Sequence, residues 1–218
     1  MVRLFTFIGL LITFGWFFYA LRSKSMGIRT VGLRFYEIVQ DVVFSLGHLK
    51  SLSCKDFSNR LLYPLTLICT FVLALTSYLP TILLGKHMAG YLLILHVIMG
   101  PFFALCLITL SIVWAHKHRF DVNDWKTLKG LLSRKQRLQD DRSINLLLKV
   151  CFWLLVVLTL PILLSIISSM YKIFGSRAQE FLLQLHRYTT LLFVMITVIF
   201  TYYERFKEPQ EVKKCQGK

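Results

Sequence analysis

Acidic residues are scarce in this chain: eleven Asp and Glu stand against twenty-six Lys and Arg, and none of the eleven falls deep inside an apolar run. Transporters carry broken helices and acidic groups at the midplane, and hydrolases need paired or relayed carboxylates, so neither class is favoured and catalysis by the chain itself is not expected. Cysteine occurs five times without a pattern. Cys69, Cys106 and Cys151 lie in apolar runs and Cys54 and Cys215 in basic segments, so no disulfide is expected. There is no C-x-x-C-H, which excludes covalent attachment of a c-type haem, and no cysteine cluster for an iron–sulfur centre. No polar stretch is long enough for a soluble domain.

Apolar residues are what the chain has in excess. They make up 56% of it, with eighteen Phe and a mean hydropathy of +0.60, more than one soluble core of this size can hide. Runs long enough to cross roughly 30 Å of hydrocarbon occupy 4–21, 61–84, 88–115, 145–171 and 181–203. The first follows Arg3 as a secretory signal would, but Phe17-Phe18-Tyr19-Ala20-Leu21-Arg22 lacks a small-residue cleavage pattern, so it reads as a retained helix. The expected fold is therefore all-α: an integral membrane bundle of five transmembrane helices. Pro64, Pro80, Pro101 and Pro161 are tolerable there because neighbouring groups can satisfy the freed carbonyls.

The cations set the orientation. Seven Lys and Arg lie in 22–60, eight in 116–144 and five from Glu204 onward, whereas Arg3, Lys86, Lys172 and Arg177 are the only four on the other face. Positive loops stay in the cytoplasm, which puts the N-terminus outside and the C-terminus inside. A net charge of +15 then expresses topology and attraction to anionic headgroups, and no nucleic-acid partner is expected. In 33–49, Phe35, Ile38, Val39, Val42, Leu46 and Leu49 recur at helical spacing opposite Arg34, Glu37 and Asp41. This predicts an amphipathic helix on the inner membrane surface, or a docking face for a cytoplasmic partner.

Six histidines remain to be sorted. His96 and His186 each stand about five residues into an apolar run that starts on the outer side, roughly 8 Å below its start. Imidazoles inside hydrocarbon are costly unless organised, and an iron porphyrin held from both faces organises two of them. Gly100 is one turn from His96 on the same face, and Gly90 precedes it; absent side chains there leave room for a flat ring or for a close helix neighbour. Arg187, beside His186, would either snorkel to headgroups or neutralise a propionate, with Lys86, Lys172 and Arg177 on the same side. His87 is out of phase with His96 and reads as a boundary residue. His48, His116 and His118 read as solvated interfacial residues, although a second haem using one of them is left open.

Two segments carry a family resemblance. His96-Val97-Ile98-Met99-Gly100-Pro101-Phe102-Phe103-Ala104, running on to Trp114-Ala115, and Leu185-His186-Arg187-Tyr188 resemble the di-haem cytochrome b subunits that anchor bacterial formate dehydrogenases, nickel–iron hydrogenases and thiosulfate reductases. The likeness covers roughly 60–203. Members of that family place a histidine near Arg60-Leu61-Leu62-Tyr63-Pro64-Leu65 and another about thirteen residues beyond the position of His186. Tyr63 and Ile199 or Phe200 stand in those places here, so the inner haem site is expected to be lost and the outer pair retained.

The resemblance implies a multi-pass subunit of the bacterial inner membrane that binds one haem b through His96 and His186, with Gly100 and Arg187 contributing to the cofactor site. It would relay electrons between a periplasmic electron-transfer protein and the quinone pool or another subunit of a respiratory complex. No residue marks the quinone site; Tyr91, Tyr171 and Tyr188 read as interfacial anchors. The alternatives are a haem-free structural anchor of such a complex and a transporter.

Overall fold

The computed structural model describes residues 7–13, 15, 16, 19, 36, 40, 58–85, 88–133, 141–170 and 175–206. Among these the chain is helical, with no strand. In order the elements are α1 (Tyr63–Leu79), α2 (Tyr91–Ala115), α3 (Val122–Leu132), α4 (Asp141–Met170) and α5 (Ser176–Thr201), with single π-helical turns at Ser58–Leu62, Pro80–Leu84 and Tyr202–Phe206. Four helical stretches are long and apolar enough to cross a membrane: Arg60–Ile82, Tyr91–Ala115, Arg142–Ser169 and Ser176–Glu204. They match the last four expected spans. Of the expected first span, 7–13, 15, 16 and 19 are helical and the rest lies outside the described residues, as does nearly all of the expected interfacial helix at 33–49.

The chain divides into two compact units, Met1–His116 and Lys117–Lys218. In the first, α1 and α2 form an antiparallel hairpin. The buried residues of α1 include Tyr63, Thr66, Cys69, Thr70 and Thr76, at intervals of one, three or six residues that keep them on one broad face, and α2 buries Phe103, Leu107, Leu110 and Trp114 at intervals of three or four. Its remaining faces are apolar and exposed, as Val97, Ile98, Leu105, Ile108 and Ile112 show. A helix apolar all round is suited to lipid, so the protein is a multi-pass membrane protein whose outer helix faces meet hydrocarbon. The hydroxyls of Thr66, Thr70 and Thr76 donate to carbonyls one turn back at 2.7, 2.8 and 2.9 Å, which removes the cost of carrying them in an apolar segment.

The connection between α1 and α2 is decided by glycine. Gly85 closes the π turn at φ 64°, and Gly90 precedes α2 at φ 61°, ψ −138°. Both conformations penalise a side chain. Gly90 is therefore required by its backbone angles, a different reason from the ring clearance that its distance from His96 suggests.

The second unit is built on the α4/α5 hairpin, with α3 packed against α4. Leu155, Thr159, Ile162 and Ser165 of α4 and Phe193 and Phe200 of α5 are buried. Helix α3 falls where the charge pattern reads only a basic connection. Asp121 and Asp124 form its cap: Asp121 Oδ1 accepts the Val122 amide and Asp124 Oδ2 accepts the Asp121 amide, both at 2.7 Å. This D-x-x-D pattern is a variant of the capping box and is the signal in the sequence that marks the helix start. Lys149 Nζ, 2.7 Å from Asp124 Oδ2, ties α3 to α4.

Candidate functional site

The two histidines expected to be functional sit on the second helix of their respective hairpins, and each leans on the first. In the Met1–His116 unit, His96 Nδ1 is 2.9 Å from Thr76 Oγ1 on α1. Thr76 Oγ1 is also 2.9 Å from the Val72 carbonyl and 3.1 Å from that of Leu73. A hydroxyl has one proton. With that proton given to the α1 backbone, the hydroxyl meets the imidazole as an acceptor of an Nδ1 proton. That arrangement goes with the tautomer whose lone pair is on Nε2.

In the Lys117–Lys218 unit the same logic recurs with different atoms. His186 Nδ1 is 3.3 Å from Ser165 Oγ and 3.2 Å from the Ile162 carbonyl, both on α4. Ser165 is 1% exposed and donates its own proton to the Ile162 carbonyl at 2.9 Å. Both groups facing Nδ1 are acceptors. His186 is again an Nδ1–H imidazole with its lone pair on Nε2. A neutral imidazole fixed in this way is a ligand for a borderline metal ion, and the outer hydrogen bond both orients the ring and raises its basicity.

The parallel extends along both hairpins. Each first helix carries a buried aromatic ring thirteen residues before its histidine-facing hydroxyl, Tyr63 before Thr76 and Phe152 before Ser165, and a buried threonine six residues before that hydroxyl, Thr70 and Thr159. The hydroxyl-to-histidine separations are 20 and 21 residues. Each unit thus has a helical hairpin whose second helix carries a histidine within hydrogen-bond distance of a hydroxyl on the first. Sequence reasoning missed Thr76 and Ser165. The signal was a hydroxyl one hairpin back from each histidine, hidden because Ser and Thr commonly back-bond inside apolar helices.

The depth match needs one adjustment. His96 is the sixth residue of α2, but α5 begins at Ser176, so His186 is its eleventh. The extra first turns, Ser176-Arg177-Ala178-Gln179-Glu180, are polar and still helical. Measured from Phe181, where α5 becomes apolar, His186 stands as far in as His96 does from Tyr91. Arg187 is half-buried, Tyr188 and Arg177 are exposed, and a Cβ built on Gly100 meets no heavy atom within 4 Å, so the face beside His96 has open space. Lys86, His87, Tyr171, Lys172 and His48 lie outside the described residues.

The places where the resemblance expects inner ligands are packed with aromatic rings. Tyr63 stacks on Trp114 at 5.0 Å between centroids with 23° between planes. Phe200 lies 5.9 Å from His118, which stacks on Phe152 at 4.4 Å and 17°. His118 is 3% exposed and its carbonyl accepts the Trp153 indole N–H at 3.0 Å. It is thus a buried, ring-stacked residue and differs from the solvated histidine expected at that boundary; a flat imidazole finds better contact on Phe152 than in water. His116 is exposed, as expected. Among the described residues no three His, Cys, Asp or Glu side chains cluster to hold a bare metal ion; an axially ligated porphyrin asks only two side chains of the protein.

Compared with family models, curated proteins and solved structures, the chain gives no match.

Proposed function

We propose that this chain is a b-type cytochrome subunit of a membrane redox complex, with His96 and His186 as the two axial ligands of one haem b near the outer face of a bacterial inner membrane. The observation that carries the reading is the shared state of the two imidazoles. Each has its Nδ1 within hydrogen-bond distance of a hydroxyl on the preceding helix that itself reaches a backbone carbonyl, an arrangement that favours Nε2 as the donor atom to a metal. The open flank of Gly100 suits a planar ring, and Arg187 is the neighbouring cation for a propionate.

A haem held by these two imidazoles would supply one-electron transfer. The chain's part is to fix the ligands, keep water away and tune the potential through Thr76, Ser165 and the Ile162 carbonyl. Electrons would pass between a periplasmic partner and quinone or another subunit on the same side, with the N-terminus outside and the basic connections inside. Aromatic packing at Tyr63 and Phe200 supports a single haem.

Pyridine haemochrome quantification on the purified chain tests this. One porphyrin per polypeptide, with reduced b-type bands that vanish in both His96→Ala and His186→Ala, is the expected result. Unchanged absorbance in either variant overturns the assignment of that ligand, and a protein that is folded yet colourless supports the haem-free anchor instead.

A further inference from the structure

We infer that the Lys117–Lys218 unit binds the phosphodiester headgroup of an anionic phospholipid in a cavity between α3 and the boundary ends of α4 and α5. The cavity measures about 490 Å³ and is lined by Lys117, Asp124, Arg142, Asn145, Lys149 and Glu204 among others. This is the size of a small-ligand site, enough for a headgroup and not for acyl chains.

The charges there are already partly matched. Asp124 is held by Lys149 at 2.7 Å, and Glu204 by Lys117 at 2.5 Å. Arg142 is the third cation on the lining, and among the described residues no carboxylate lies within ion-pair distance of it. Among the described lining residues three cations stand against two carboxylates, one positive charge in excess. A ligand with one negative charge and two equivalent oxygens completes the balance, and the guanidinium fork fits that geometry better than a point charge does. The exposed amide of Asn145, one turn along α4, supplies a further donor.

Position selects a lipid as the source of the phosphate. Arg142 and Glu204 are terminal residues of their membrane-crossing stretches, so the cavity lies where hydrocarbon gives way to headgroups. On the Arg142 face of α4 follow Lys149, Trp153, Leu160 and Leu164, at rotations within about 60° of one another by helical periodicity. Trp153, Leu160 and Leu164 are 37%, 61% and 61% exposed. An apolar track for an acyl chain thus leads away from the charged cavity along one helix face. Exposed Trp125 on α3 belongs to the same boundary. The inference needs the membrane but not the haem.

The test uses the full chain in zwitterionic phosphatidylcholine nanodiscs doped with phosphatidylglycerol, with native mass spectrometry reading the phosphatidylglycerol retained. Arg142→Gln is expected to lower retention about tenfold, the size of one lost charge-assisted contact. Arg142→Lys should restore part of it. Arg177→Gln, an exposed cation at the other end of α5, should leave retention unchanged, and circular dichroism confirms that each variant is folded. Equal losses in the Arg142 and Arg177 variants would mean unspecific charge attraction and overturn the proposal. So would displacement of the lipid by inorganic phosphate or glycerol phosphate at matched concentration, since the site would then bind free phosphate and take nothing from the acyl track.

Discussion

Ser165 Oγ stands 3.3 Å from His186 Nδ1 while giving its proton to the Ile162 carbonyl at 2.9 Å, so the serine serves the imidazole only as an acceptor. Thr76 Oγ1 lies 2.9 Å from both His96 Nδ1 and the Val72 carbonyl.

Removing these hydroxyls is expected to alter the haem without removing it. Thr76→Val keeps the shape of α1 and deletes the Nδ1 acceptor, and haem retention should weaken about tenfold with a shifted midpoint potential. Ser165→Ala should do less, because the Ile162 carbonyl still faces His186 Nδ1 at 3.2 Å. Redox titration alongside haem quantification checks the order; a larger effect from Ser165→Ala would contradict the assigned hydrogen bonds.

Gly100 separates cofactor contact from helix packing. A Cβ meets nothing there within 4 Å, so Gly100→Leu should leave helicity and thermal stability intact. If the ring lies against this face, the variant is purified with little or no haem. A fully loaded Gly100→Leu protein would place the ring elsewhere.

Tyr63 is 3% exposed and stacked on Trp114. Tyr63→Ala should cost about 3 kcal/mol in an unfolding titration, the usual size for emptying a buried aromatic position. Ile112→Ala, at a side chain 73% exposed in the same unit, should be near neutral in detergent.

A pH dependence is expected at the α3–α4 contact. Burial pushes the Asp124 carboxyl up, but hydrogen bonds from Lys149 and the Asp121 amide, with the charge of Lys149, outweigh it and hold the group below its ordinary value. A carboxyl depressed in the folded state contributes stability above its unfolded pKa, and that contribution is lost as pH falls through the folded pKa. The magnitude is about 1 kcal/mol or less for a pair at this boundary. Acid titration followed by the fluorescence of Trp125, one residue away on α3, should show a transition below the normal carboxylate range that Asp124→Asn abolishes.

Much of the architecture was legible in the chain because hydrocarbon imposes length and polarity on any helix that crosses it. The runs from 61 onward became α1, α2, α4 and α5 within a few residues, apart from the polar lead of α5. Helix α3 was overlooked, since its basic residues resemble a solvated connection and its cap depends on two aspartates three residues apart. His96 and His186 stood out by type and place alone.

What the sequence determined by itself is the membrane class, the number of later crossings and which imidazoles lie within apolar helices, all of which follow from local composition and the 1.5 Å helical rise. The tertiary structure alone decided which hydroxyl meets which ring nitrogen, that His118 stacks on Phe152 instead of facing water, and that Arg142 shares a cavity with two ion pairs. Those outcomes depend on the register of one helix against the next, which fixes distances to a fraction of an ångström and is set by side-chain packing across the hairpin, not by any property of either helix alone.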